Sequence, residues 1–171
     1  FFNVNAADPD NRKQVVEEME KTFAAAPNQR LRVVLHSLAF GTLKNFIHDD
    51  SKEELQQAQV EMTLNVMANS LIYWAQDLNH KGLVTQGTQI YAMTSAGGSR
   101  VWPTYGAVSA AKAALESNIR QLALELAPKG ASANAILAGV TDTPALRKIP
   151  GHEHMIATAS ARNPFKRLTT T

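Results

Sequence analysis

Residues 88–130 read T-Q-I-Y-A-M-T-S-A-G-G-S-R-V-W-P-T-Y-G-A-V-S-A-A-K-A-A-L-E-S-N-I-R-Q-L-A-L-E-L-A-P-K-G. Thr88–Thr94 is a short branched and aromatic run preceded by Gly87, which marks a strand. A loop containing Gly97, Gly98 and Pro103 follows. A helix is expected from about Thr104 to Ala127, closed by Pro128 and Gly130. Immediately after comes a second strand-like run, Ala131–Leu137. A strand, a helix of some twenty residues and another strand form a crossover unit, and crossovers of that length join parallel strands.

The same alternation extends outward. Leu31–Leu38 (L-R-V-V-L-H-S-L) reads as a buried strand. Between it and Thr88, Ser51 with Glu54 three residues later forms a capping-box pattern, predicting a long helix towards Asn79 with Gly82 just past its end. Further back, Asp8-Pro9 is an N-cap followed by proline at the first helical position. Val15, Val16, Met19 and Phe23 then recur at helical spacing to about Ala25. Phe1–Val4 reads as the end of one more strand, and Glu153–Ala161 as a final helix. The fold class is α/β: a three-layer, doubly wound parallel sheet of Rossmann-like type, with helices on both faces. Such sheets bind ligands beyond the carboxyl ends of their strands, here the loops after Leu35, Met93 and Leu137. The chain opens without Met inside an apolar run, and Leu168–Thr171 reads as a helix start, so both ends read as cut.

Composition narrows the function classes. A chain of 171 residues suits a single domain, and 44% hydrophobic with 19% charged residues is a globular balance. The formal net charge of +2 carries no nucleic-acid or polybasic membrane signature. Cysteine is absent, which excludes disulfides, thiolate zinc sites, iron–sulfur clusters and a Cys nucleophile. No apolar run approaches the roughly 18 residues of a membrane span. The expectation is a cytoplasmic protein with no membrane or nucleic-acid partner.

The chemistry concentrates between Thr94 and Lys112. Ser95 falls just past a strand end, and Tyr105 and Lys112 fall near the start of the next helix. Seven residues at about 100° each bring the two side chains to within about 20° of one face. A lysine beside a tyrosine favours hydrogen bonding by the phenol to a developing oxyanion. Taken alone, the pair reads as a half-buried tyrosine and a solvated lysine. His152 and His154 flank Glu153 without a third ligand, so no metal is expected. His36 reads as a strand-end packing residue, Asp49–Glu54 as a solvated helix start, and Met62, Met67 and Leu71 as a buried or subunit-contact face.

Several further stretches match in order and spacing, and with them the chain resembles the short-chain dehydrogenase/reductase family over essentially its whole length. Asn3-Val4 corresponds to the pair that meets the adenine. His36-Ser37-Leu38-Ala39-Phe40 stands in the place of the Asn-Asn-Ala-Gly loop, and Asn65 in L-N-V-M-A-N-S matches the helix asparagine. Asn134–Thr143 matches the segment over the nicotinamide, with Ala138 where proline is usual. The family's usual tyrosine position, four residues before the lysine, is Val108 here. The tyrosine lies one turn earlier, in a Tyr-x6-Lys spacing that, with H-S-L-A-F, is similar to the enoyl-acyl-carrier-protein reductases. Two turns separate the alpha carbons by about 10 Å along the helix, against about 6 Å for one turn. A donor set back from the hydride suits an enoyl thioester, where charge builds on an oxygen two bonds beyond the carbon that is reduced.

The resemblance implies NADH or NADPH as cofactor and an enoyl thioester, on acyl carrier protein or coenzyme A, as substrate. Tyr105 would stabilise the enolate and Lys112 hold the nicotinamide ribose, while Ser95 keeps the serine position. Asn65 reads either as a relay residue towards Lys112 or as a helix-bulge residue. Asn3, Val4, Ser37, Leu38, Ala39, Thr94, Ala138, Gly139, Thr141 and Thr143 would line the cofactor; Trp102 and Met155 would wall an acyl pocket. By the same resemblance, residues 1–171 are one reductase domain lacking its first βαβ unit, with the Gly-rich pyrophosphate loop, and its last helix and strand. The two long helices imply a homodimer or homotetramer. A 3-oxoacyl or other carbonyl reductase, and a non-catalytic nucleotide-binding member, remain the competing readings.

Overall fold

The computed structural model describes residues 1–170. Three strands, β1 (Val33–His36), β2 (Gln89–Thr94) and β3 (Ser132–Leu137), form one parallel sheet in the order β1-β2-β3. His36 stands beside Ala92 and Thr94 beside Leu137, so the carboxyl ends gather along one rim. The parallel α/β arrangement expected from the alternation is present, with three of the four expected strands. Phe1–Val4 pairs with nothing among the described residues and is exposed, because a strand exists only against a neighbour's ladder.

Helix α1 spans Pro9–Ala25, with the Asp8 side chain accepting a bond from the Asn11 N–H at 2.9 Å. It is tied to α3 (Ser70–His80) by an ion pair between Arg12 and Asp77, and the indole N–H of Trp74 donates to the Ala6 carbonyl at 2.8 Å. The helix expected to begin near Ser51 starts later. Helix α2 spans Gln57–Leu64, and the Gln59 side chain accepts from the Gln56 N–H at 3.0 Å. Glu54 is used elsewhere: it bridges to Asn45, and its carboxylate accepts from the His48 N–H. One wide π-helical turn, Asn65–Asn69, separates α2 from α3. Helix α4 (Gly106–Leu126) ends through a short turn at Gly130, which takes a left-handed φ of 68°. Helix α5 spans His152–Arg162, one residue wider at each end than its periodicity predicts.

One apolar cluster joins Val16 of α1, Leu71 and Leu78 of α3, Ile90 and Ala92 of β2, Ala133 of β3, and Leu115, Ile119 and Leu122 of α4. These helices cover one face of the sheet. On the opposite face Val33 and Leu35 are 52% and 55% exposed, and Ile136 is exposed too, so the second helical layer expected there is not found among the described residues. The cause is topological. Successive right-handed crossovers stepping the same way along a sheet deposit their helices on the same side, and only a reversal of strand order changes sides. The three tail residues Leu168–Thr170, expected to start a helix, form none; the Thr169 N–H donates to the Val140 carbonyl at 3.1 Å. Thr171 lies outside the described residues.

Leu115 is fully buried beneath the sheet while Leu124, on the same helix, is exposed. Leu115→Ala is expected to destabilise by about 2–5 kcal/mol, through lost burial plus a cavity. Leu124→Ala should stay within about 0.5 kcal/mol of wild type. Urea unfolding midpoints measure both.

Candidate active site

The residues singled out between Thr94 and Lys112 meet on one strand–turn–helix unit at the carboxyl end of β2. Ser95 caps the turn Ala96–Gly98, its side-chain oxygen accepting from the Gly97 N–H at 3.1 Å. Gly97 is needed for the close approach, whereas Gly98 makes ordinary contacts with α4. A Cβ on Gly97 would collide with the Tyr105 ring, and one on Gly98 would lie 3.5 Å from Cβ of Lys112. The Ser109 hydroxyl donates to the Gly97 carbonyl and pins the turn to the first turn of α4.

Tyr105 occupies the capping position of α4 (φ −90°, ψ 3°) rather than its interior, and its ring is buried. Trp102 meets it edge-on, with ring centroids 6.2 Å apart and planes at 74°. Met67, Val108 and Ala111 complete the buried group, with Leu43, Val66 and Ile149 against it. Trp102, expected to wall an acyl pocket, packs against Tyr105. Met155 does not join this cluster; Ile149, from the loop before α5, stands there instead. Just before the tyrosine, Thr104 holds φ at 61°, an outlier for a β-branched residue, and its hydroxyl is buried without a partner.

Lys112 is only 6% exposed, and its ammonium donates to the Met93 carbonyl at 2.7 Å. Burial pushes its pKa down from 10.5 to about 8. Thr94 turns its hydroxyl to α4, donating to Glu116 at 2.6 Å, which leaves its backbone to face the rim. His36 is buried at the end of β1 with its Nε2 2.9 Å from the Ser70 hydroxyl. Burial first, and the charge of Lys112 second, push the His36 pKa down to about 4, so the ring is neutral. Asn65 is half-buried and opens the π-helical turn, whose Met67 packs with Tyr105.

Beyond β1, a cleft of about 480 Å³ is lined by Val4, Ser37, Leu38 and Ala39 among others, uniting four residues expected to meet a cofactor; Asn3 adjoins Val4 without lining it. The segment after β3 is an exposed rim. There the Thr141 hydroxyl donates to the Gly139 carbonyl at 3.1 Å, and the Thr143 hydroxyl accepts from the Leu146 N–H at 3.1 Å. Thr169 packs directly on Gly139, and Ala138 is exposed beside it. Sequence reasoning missed the roles of Ser109, Glu116, Thr104 and Ile149. The Gly97-Gly98 doublet was the one available signal, since paired glycines after a strand mark a close approach.

The unit sets a buried tyrosine and a buried lysine at the carboxyl end of the middle strand of a parallel α/β sheet. The family described as Enoyl-(Acyl carrier protein) reductase matches residues 1–171, and the chain belongs to it. It is 31% identical over 156 residues to the enoyl-[acyl-carrier-protein] reductase [NADH] FabI of Nostoc sp., covering 90% of this chain and 59% of that one. Against the enoyl-[acyl-carrier-protein] reductase [NADPH] FabI of Staphylococcus aureus it is 31% identical over 137 residues, 78% of this chain and 51% of that one. The solved structure of FabI from Candidatus Liberibacter asiaticus superposes with a TM-score of 0.80 at 26% identity, covering 97% of this chain and 61% of that one. The chain thus spans somewhat more than half the length of these relatives.

Two expectations follow from the site. Gly97→Ala should displace the Tyr105 ring and lower turnover at least as much as removing the phenol hydroxyl, read by steady-state kinetics on folded variant. Because the folded-state pKa of Lys112 lies below its unfolded value, the unfolded chain binds the extra proton between about 8 and 10.5. Stability should therefore rise with pH across that window while the cation offered to a ligand is lost. Unfolding midpoints over that range check the first trend, and Lys112→Met should flatten it.

Proposed function

We propose that the complete protein is an NAD(P)H-dependent reductase of the 2,3 double bond of enoyl thioesters, on acyl carrier protein or coenzyme A, serving fatty-acid biosynthesis. The observation that carries this reading is the buried Tyr105–Lys112 pair at the carboxyl end of β2, seven residues apart, with the tyrosine at the helix cap. Membership of the family and relatives named for NADH and NADPH support the cofactor assignment.

The residues fit a dinucleotide in kind. The cleft bounded by Val4, Ser37, Leu38 and Ala39 offers backbone and small side chains to a flat ring. Lys112 offers a cation held by the Met93 carbonyl, with two further N–H bonds free for ribose hydroxyls. Gly139, Thr141 and Thr143 form the rim beyond β3, with Asn3 and Thr94 at the margins. When bound, the reduced nicotinamide supplies the hydride that adds to the thioester's beta carbon. Tyr105 donates its phenol hydrogen bond to the thioester oxygen, where the enolate charge develops. Lys112 lowers the cost of that charge through its positive potential. Collapse of the enolate takes up a proton from solvent at the alpha carbon and completes the saturated thioester. Ser95 orients the turn under the tyrosine, and Trp102 with Ile149 shields the oxygen from water.

In this reading the protein works in the cytoplasm as a homodimer or homotetramer. The length of α4, 21 residues, supports helix pairing between copies, and no helix among the described residues is long and apolar enough to cross a membrane.

The test follows NADH and NADPH oxidation by the complete protein with crotonyl thioester and, separately, acetoacetyl thioester. Turnover of the enoyl substrate is expected, falling about 100-fold in kcat in Tyr105→Phe as the oxyanion loses its donor. Turnover of the ketone alone overturns the assignment.

A further inference from the structure

His36 reads from the sequence as a packing residue, and the structure adds a buried hydrogen bond between its ring and Ser70. The Ser70 hydroxyl donates to the Val66 carbonyl at 2.8 Å, so its hydrogen is committed. The oxygen can then only accept from the imidazole, which fixes the proton on Nε2 and leaves Nδ1 a bare lone pair. That Nδ1 is buried without a partner. An apolar residue would fill the same space without leaving an unpaired buried acceptor, which is destabilising.

Two neighbours give the arrangement a purpose. On one side is the π-helical turn. Its extra residue displaces the backbone ladder, and Ser70 satisfies two of the carbonyls involved: its N–H bonds the Asn65 carbonyl and its hydroxyl the Val66 carbonyl. Such single wide turns are rare in helices and recur at functional sites. On the other side His36 stands beside Ala92 of β2, and the next carbonyl along that strand, Met93, holds the Lys112 ammonium.

We propose that His36 is a positioning residue for the site: as a neutral Nε2–H imidazole it clamps Ser70, and through it the wide turn that carries Asn65, against the strand that holds Lys112. The inference rests on Lys112 and the neighbouring cleft holding the cofactor, and not on which substrate is reduced. Neutrality matters, since a charged imidazole would oppose the Lys112 cation. The clamp joins the end of β1 to the start of α3 through one ring.

The test uses the complete protein with NADH and NADPH as probes, titrated by their fluorescence, alongside kcat with crotonyl thioester. His36→Leu is expected to raise the cofactor Kd and lower kcat by about 10-fold to 100-fold, the scale of a misplaced catalytic group. His36→Gln should recover most of both, because its amide N–H reaches Ser70 and its oxygen supplies the second acceptor. Ser70→Ala should act in the same direction as His36→Leu, and the double variant should be no worse than the more damaged single one. In wild type, the 15N shifts of the His36 ring should report Nε2 protonated and Nδ1 bare.

A folded His36→Leu with wild-type Kd and kcat would overturn the proposal, as would a Gln variant no better than Leu, or an Nδ1-protonated ring. If His36→Leu fails to fold, Ser70→Ala decides: an unchanged cofactor Kd overturns the clamp. Wild type that binds cofactor but reduces no enoyl thioester would sink the proposed substrate and leave the Kd comparison intact.

Discussion

The close approach of the Ala96–Gly98 turn to α4 is the constraint on which the site depends. Gly97 lets the backbone lie where a side chain would stand, with the Tyr105 ring directly over it. Ser109 and Glu116, on the same helix, bond the turn and the end of β2 from above. Strand, turn and helix therefore move as one body. A tyrosine that sits outside the helix proper is aimed by this contact and by the left-handed Thr104 backbone before it, rather than by helical geometry. Strain of that kind persists only where surrounding packing over-determines the conformation, and the Trp102 and Met67 contacts do so here.

Around this body the electrostatics are set by scarcity of water more than by opposite charge. Lys112 has a carbonyl rather than a carboxylate against its ammonium, and burial alone lowers its pKa. A lysine in that condition is a cation held at a disadvantage, and an anionic or hydroxyl-rich ligand that pairs with it recovers the deficit. His36 stays neutral under the same burial and spares the lysine a competing positive charge.

What could be read beforehand divides along physical lines. Helix α1 was legible to its ends because Asp8 and Pro9 act within a few residues of where they stand. The Tyr105–Lys112 unit was legible because strand, turn and helix are contiguous in the chain. The start of α2 was not. Ser51 and Glu54 make the right local pattern, yet Glu54 is drawn into a bridge with Asn45 and a bond from His48, so Gln56 and Gln59 cap the helix instead. The π-helical turn was legible only as one of two readings of Asn65, and the tie from Ser70, at its end, to a histidine 34 residues away lay beyond local reading. Ile149 replaces Met155 beside the tyrosine for a related reason. The chain after β3 is irregular, and no periodicity says which of its apolar residues turns inward.

The sheet itself has one consequence for anyone handling these residues. Val33 and Leu35 of β1 and Ile136 of β3 are exposed on its uncovered face, and β1 is an edge strand among the described residues. Both are surfaces that another chain can extend, strand against strand or face against face. Molecules of these 171 residues are thus expected to adhere through that edge and those apolar side chains at concentrations where a covered sheet would stay dispersed.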